Sequence, residues 1–302
     1  MKRFFKIAGV VVGLIVVIIV LYIFFIFKDA IFVEKKTPEE LASILAPHFI
    51  IKHPPGNGPF PTVLMFHGAG GAFNRDGNVT NFLAKWHDYF VSLDYAAILV
   101  DSYTGRGFTS DDVAKIGSGR KFGGSEHAGD VLISLNEVRK LSFVNPDKLV
   151  LAGWSHGGWA IMSLLAMDLV EKLPPNLTVI SKGDMDGVKG AVSFYPPFST
   201  WMMSSGGKDW NKSIKALVLL GGKDKVTEGC LKSISILEKY KNPITYHVYP
   251  DAGHGFDASD EDLEQLPESL KYLKQELKDN LDPEATIDAR RRVKEFLSEV
   301  FK

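Results

Sequence analysis

The sequence predicts an α/β fold, a mostly parallel central sheet with helices on both faces, preceded by one apolar span. Three observations predict it. Apolar runs of strand length alternate with stretches of helical spacing from about residue 60 to about residue 250. One run, Leu149-Val150-Leu151-Ala152, passes through Gly153-Trp154-Ser155-His156-Gly157-Gly158 directly into a helical pattern. Each conspicuous polar cluster also falls at the carboxyl end of a strand, where open α/β sheets build their sites.

The N-terminus comes first. Ile7 to Phe27 contains no charged residue. It is longer than the apolar core of a cleavable leader and lacks a small-x-small cleavage site after it. It reads as a retained transmembrane helix, so residues 1–33 are assigned to an anchor and 34–302 to one large α/β domain. Lys2, Arg3 and Lys6 on one side balance Lys28, Lys35 and Lys36 on the other. A short tail with three positive charges is costly to translocate, so the expectation is N-terminus inside, with the domain on the periplasmic or extracellular side.

Glu34 to Pro47 reads as a linker and short helix, and His53-Pro54-Pro55-Gly56-Asn57-Gly58 as a turn. A strand over Pro61–His67 runs into Gly68-Ala69-Gly70-Gly71. A helix follows over about Val79–Leu93, then a strand over Tyr95–Val100 closing on Asp101-Ser102-Tyr103. A Gly- and Ser-rich loop leads to a helix over Glu126–Leu141, with Val131, Leu132, Leu135 and Val138 on one face. After the Gly153–Gly158 turn, a helix is expected to about Val170. Strands at Val188–Tyr195, Ala216–Leu220 and Ile244–Val248 alternate with a helix over Glu228–Tyr240.

Charge and cysteine content exclude some functions. The net charge is −1, so no nucleic-acid partner is expected. Cys230 is the only cysteine, which rules out an internal disulfide or a thiolate metal cluster. It reads as an ordinary buried residue. No metal and no cofactor are expected.

Glycine-flanked serine between a strand and a helix is the nucleophile elbow of an α/β-hydrolase, a turn too tight for neighbours with a Cβ. A serine hydroxyl needs a base, and the base an orienting carboxylate, in the chain order Ser, Asp or Glu, His. His247 falls inside a strand, whereas His254 sits in a glycine-flanked loop after it and is the expected base. Asp224, after the strand at Leu217–Leu220, is the expected carboxylate. Asp251 and Asp257 read as turn and helix-start residues. The backbone N–H of His156, with that of Ala69 or Gly70, is expected to face an oxyanion. His67 reads as a loop-shaping residue and Asp130 as structural. Arg106 is a candidate contact for a substrate carboxylate, or a pin for its own loop through Asp101. Trp201, with Met202 and Met203, is a candidate wall of an acyl pocket, or packing.

His67-Gly68-Ala69-Gly70-Gly71, Asp101-Ser102-Tyr103-x-x-Arg106-Gly107, Gly153-Trp154-Ser155-His156-Gly157-Gly158, Ser193-Phe194-Tyr195-Pro196-Pro197 and Ala252-Gly253-His254-Gly255-Phe256-Asp257 stand in one order. Together with Ala289-Arg290-Arg291-Arg292-Val293, they resemble the dienelactone hydrolase family over about residues 50–302. The resemblance implies an α/β-hydrolase fold, a Ser155–Asp224–His254 triad and cofactor-free hydrolysis of ester-like bonds. Ser155 stands where the founding enzymes carry cysteine, a departure that bears on dienelactone itself as substrate. Ser259 to Leu281 is longer than the compact family needs. It reads as a solvated surface helix or, alternatively, a flap beside His254.

The expected function is hydrolysis of a small-molecule carboxylic ester, lactone or thioester, with the membrane as a further partner through residues 7–27. Two alternatives stand beside it. One is acyl transfer through the same acyl-enzyme; the other is a catalytically silent binding domain displayed at the membrane.

Overall fold

The computed structural model describes residues 2–170, 172–180, 184–199, 207–266 and 268–302. Among the described residues, seven strands form one sheet. They are β1 (Phe49–Lys52), β2 (Phe60–Phe66), β3 (Ala96–Val100), β4 (Val144–Trp154), β5 (Val188–Phe194), β6 (Lys215–Gly221) and β7 (Ile244–Tyr249). Their spatial order is β1-β3-β2-β4-β5-β6-β7, and all pairings are parallel except β1 with β3. The expected mostly parallel α/β sheet is therefore present.

Side chains alternate along each strand, and both resulting faces are dry along the central strands. Val63 and Met65 of β2 join Leu83, Trp86 and Phe90 of α3 (Asn81–Ser92) and Val293 and Leu297 of α10 (Pro283–Val300) in one apolar cluster. Leu64 and Phe66 point the other way. They pack with Leu41 of α2 (Pro38–Leu45), Val131 and Leu132 of α5 (Gly124–Val138), and Ile161 of α6 (His156–Leu165). The same cluster takes in Ile234 of α7 (Thr227–Lys239). Burial on both faces explains why the strands read as unbroken apolar runs. At roughly 1.5–3 kcal/mol per fully buried aliphatic or aromatic side chain, these two clusters supply most of the drive to fold.

α1 (Lys2–Ile31) carries an 18-residue apolar window, Val12–Asp29, with none of it buried in the protein. By length and composition it can cross a membrane.

Three elements depart from the sequence reading. β1 was not anticipated; it is four residues long and pairs antiparallel at the sheet edge, its Lys52 reaching Asp88 at 2.5 Å. The Gly- and Ser-rich loop contains a helix, α4 (Ser110–Gly117). A reciprocal cap between Thr109 and Asp112 starts it, and Val113 and Ile116 bury its inner face. α6 stops at Leu165 rather than near Val170: Ala166 leaves helical geometry at ψ 4°, and beyond it the Asp168 side chain accepts from the Val170 N–H in a turn.

Candidate active site

β4 ends on Trp154 and α6 begins on His156, so Ser155 must reverse the chain alone. It does so at φ 48° and ψ −110°, a region that L-residues other than glycine rarely occupy. The neighbouring glycines are sterically required. A Cβ on Gly153 would lie 2.5 Å from the Gly157 carbonyl carbon, and one on Gly157 would lie 2.2 Å from the Phe66 oxygen. The Ser155 N–H donates to Phe194 O at 2.9 Å, tying the turn to β5.

The structure brings Ser155, His254 and Asp224 together from the ends of β4, β7 and β6. His254 Nε2 lies 2.8 Å from Ser155 Oγ, and His254 Nδ1 lies 2.7 Å from Asp224 Oδ2. The Asp224 side chain is 4% exposed and that of His254 30%, so the carboxylate is sheltered and the imidazole reaches the opening. Asp224 Oδ1 also accepts from the Val226 N–H at 3.0 Å, which fixes the carboxylate plane. With Nδ1–H donated to Asp224, Nε2 presents a lone pair to the serine hydroxyl. This arrangement can take a proton from Ser155 and return it.

Ala69 and Gly70 border the cavity that contains Ser155. His156 opens α6, where first-turn N–H groups have no intrahelical acceptor. Gly68 approaches closely: a Cβ there would stand 3.4 Å from Ser155 Cβ.

Three buried histidines support both loops. His156 Nε2 faces Phe122 O at 2.7 Å, so neutral His156 carries its proton there and leaves Nδ1 as an acceptor. His127 Nδ1, 3.0 Å away, must then donate to it, and His127 Nε2 accepts from the Ser102 hydroxyl at 3.1 Å. The Ser102 N–H donates to His67 Nε2 at 3.2 Å, and His67 Nδ1 donates to Gly68 O at 2.8 Å. His67 thus shapes the Gly68–Gly71 loop, as its sequence position indicates. Burial lowers the pKa of all three rings, that of His156 to about 4.

Arg106 is not brought to the cavity. Its guanidinium donates to both Asp130 oxygens, at 2.9 and 2.7 Å, and to Ser102 O at 2.6 Å. The pair is 9% and 0% exposed. Arg106 therefore pins its loop, and through Asp130 rather than Asp101, whose carboxylate caps the Tyr103 N–H at 2.9 Å. Asp130 is structural in this sense. Trp201, Met202 and Met203 lie outside the described residues.

Asp257 is not a helix-start residue. It is buried, and it accepts from Trp86 Nε1 at 2.8 Å, Trp154 Nε1 at 2.9 Å and the Tyr195 hydroxyl at 2.6 Å. The Tyr195 ring lies against the His254 ring, centroids 4.8 Å apart and planes tilted by 58°. Sequence reasoning missed this carboxylate because its partners are distant in the chain. The available signal was two tryptophans and a tyrosine on buried elements, each needing an acceptor.

The Ser259–Leu281 segment is a roof built from α8 (Asp260–Glu264), a 3-10 turn (Glu268–Leu273) and α9 (Lys274–Asn280). It lies over the site rather than standing as a solvated surface helix. Asp262 accepts from the Phe82 N–H at 3.1 Å and Arg75 donates to Glu264 O at 2.5 Å. The Asn74 and Gln265 side chains also meet. At its other end the Gly253 N–H donates to Asn280 O at 3.1 Å. Cys230 is fully buried, and burial pushes its thiol up to about 12.

Comparison with solved structures agrees on the α/β-hydrolase fold. A dienelactone hydrolase-like promiscuous phosphotriesterase from metagenomic libraries is similar at 15% identity, TM-score 0.59, over 81% of this chain and 88% of that one. A candidate dienelactone hydrolase from Klebsiella pneumoniae subsp. pneumoniae MGH 78578 is similar at 14% identity, TM-score 0.57, over 83% and 98%. Apo Thermogutta terrifontis esterase 2 follows at 16%, TM-score 0.52, over 83% and 89%. No curated protein matches the chain. The dienelactone hydrolase family model matches residues 175–301, a stretch that carries Asp224 and His254 but not Ser155.

Proposed function

We propose that the chain is a serine hydrolase of the dienelactone hydrolase type that cleaves carboxylic esters at a membrane, held there by α1. The observation that carries this reading is the hydrogen-bonded line Asp224–His254–Ser155 at a strained strand-to-helix turn. Strain at a non-glycine residue persists only where the surroundings enforce it, and it clusters at functional sites.

In this reading His254 Nε2 takes the Ser155 proton as Oγ attacks the ester carbonyl. Asp224 orients the ring and offsets the charge of the imidazolium. The N–H groups of His156 and of Ala69 or Gly70 receive the oxyanion, which collapses to an acyl-serine as the alcohol leaves with the proton from His254. Water, deprotonated by His254, then attacks the acyl group and Ser155 regains its proton. Lactones and thioesters follow the same steps. An alcohol or amine in place of water would give acyl transfer, which product analysis with an added acceptor separates. The domain is proposed to face the periplasm or cell exterior; protease added to intact spheroplasts would then degrade it, and protection would reverse the orientation.

The test is labelling of the full-length membrane protein with a fluorophosphonate, followed by peptide mapping. The expected adduct is on Ser155 and disappears in Ser155→Ala and His254→Ala. A folded protein that takes no label overturns the reading in favour of a silent binding domain.

A further inference from the structure

The cavity over Ser155 encloses about 260 Å³. Its reacting side is polar: Ser155, His254 and the Gly68–Gly70 backbone. Its other walls are mostly apolar, formed by Phe82 and by Leu263, Leu266, Leu270, Leu273 and Leu277 of the roof, with the Thr80 and Gln265 side chains also at the border. The roof spans both sides of the serine. A Cβ on Gly70 would lie 3.8 Å from Leu270 Cδ1, and one on Gly255, beside His254, would lie 3.8 Å from Leu277 Cδ2.

Charge is turned away from this space. Among the described residues no lysine or arginine lines it. The roof's lysines pair outward: Lys271 with Glu268, Lys274 with Glu264 and Lys278 with Asp260. Asp262 borders the cavity, but its oxygens are occupied by the Phe82 N–H, the Ser259 N–H at 3.0 Å and the Ser259 hydroxyl at 2.6 Å. A second carboxylate on a substrate would enter without a counter-charge, which is costly in an apolar space.

Resting on the reading of Ser155 as nucleophile, we infer that the substrate is an ester with an uncharged aliphatic arm of medium length. At roughly 30 Å³ for a water-sized or methylene-sized group, the cavity holds on the order of eight such groups. The leucines that form the roof are therefore specificity-determining residues. The arm belongs either to the acid or to the alcohol, and the chemistry of recognition is the same.

The full-length protein in nanodiscs is assayed with two series, aryl alkanoates from two to sixteen carbons and alkyl acetates over the same range. In one series kcat/KM rises by about two- to fourfold per methylene to near eight carbons, then falls by sixteen. The series that responds identifies the arm. Leu270→Trp lowers the ratio of octanoyl to acetyl, or of octyl to ethyl, turnover in the responding series by about tenfold or more, a ratio independent of how much of the variant folds. A butyrate ester is turned over about tenfold or more faster than the matching hydrogen succinate ester. Flat profiles in both series, an unchanged Leu270→Trp ratio, or equal use of the succinate overturn the inference. Fluorophosphonate labelling of the same sample separates the two failures. Label on Ser155 with flat profiles refutes the arm alone, whereas no label removes the nucleophile and the inference together.

Discussion

Asp257 follows His254 by three residues, yet its carboxylate bonds Trp154, the residue immediately before Ser155, at 2.9 Å. One buried carboxyl group thereby joins the loop carrying the imidazole to the strand carrying the serine, and holds Tyr195 against the ring between them. Asp257→Asn keeps the shape but replaces one acceptor oxygen by a donor. We expect a loss of about 1–3 kcal/mol in stability. Ester turnover should fall further than the folded fraction explains. Thermal unfolding and kcat/KM on one preparation check this, and full activity would show that the link has no part in aligning the site.

The turn at Ser155 offers a separation of stability from activity. Its φ of 48° is unfavourable for serine and unremarkable for glycine. Ser155→Gly should abolish hydrolysis and raise stability by about 1 kcal/mol. Differential scanning fluorimetry decides it, since a lowered melting temperature would mean the turn stores no strain.

Arg106 tests the difference between a substrate contact and a pin. Arg106→Met leaves Asp130 buried without its charged partner, facing only neutral donors such as Asn176 at 3.4 Å. The expected cost is about 3–5 kcal/mol in stability. The preference between neutral and carboxylate-bearing esters should stay as in the parent. A selective loss of the charged ester would restore the binding role.

Acid sensitivity follows from the buried histidines. Burial holds His156 at about 4 against 6.5 for an exposed ring, and His127 and His67 shift the same way. Below pH 6.5 the unfolded chain binds protons that the folded chain refuses. The contribution of His156 is therefore complete above pH 6.5 and is lost as pH falls towards 4, by about 1.4 kcal/mol per unit, and His127 and His67 act in the same direction. Unfolding free energies from pH 7.5 to 5 should show this slope, and His127→Leu should reduce it by one ring. Equal slopes in parent and variant would place the acid sensitivity elsewhere.

How far the sequence can be read depends on the range of the interactions. Strands β2, β3, β5 and β6 and the second half of β4 were legible because both faces are buried and the runs are unbroken; β7, exposed at Thr245 and Tyr246, was legible from its place after a helix and before the His254 loop. The convergence of Ser155, Asp224 and His254 was legible because chain order and strand ends mark them. β1 was hidden by its length, and α4 by glycines and serines that outweighed the Thr109–Asp112 cap. The sequence leaves the roof between a solvated helix and a flap because its acidic residues suggest a solvated face, whereas leucines at 263, 266, 270, 273 and 277 turn inward only once Asn74, Arg75 and Phe82 hold the other side. Asp257 lay beyond reach for the same reason: its partners are 171, 103 and 62 residues away.

The two hydrogen-bond strings that leave Ser102 through histidines both terminate on backbone carbonyls, Phe122 O and Gly68 O. A carbonyl accepts and cannot pass a proton onward, so neither string is a conduit. The three rings behave as insulation around the serine rather than as a reservoir, and His254 is left as the one imidazole there in contact with water.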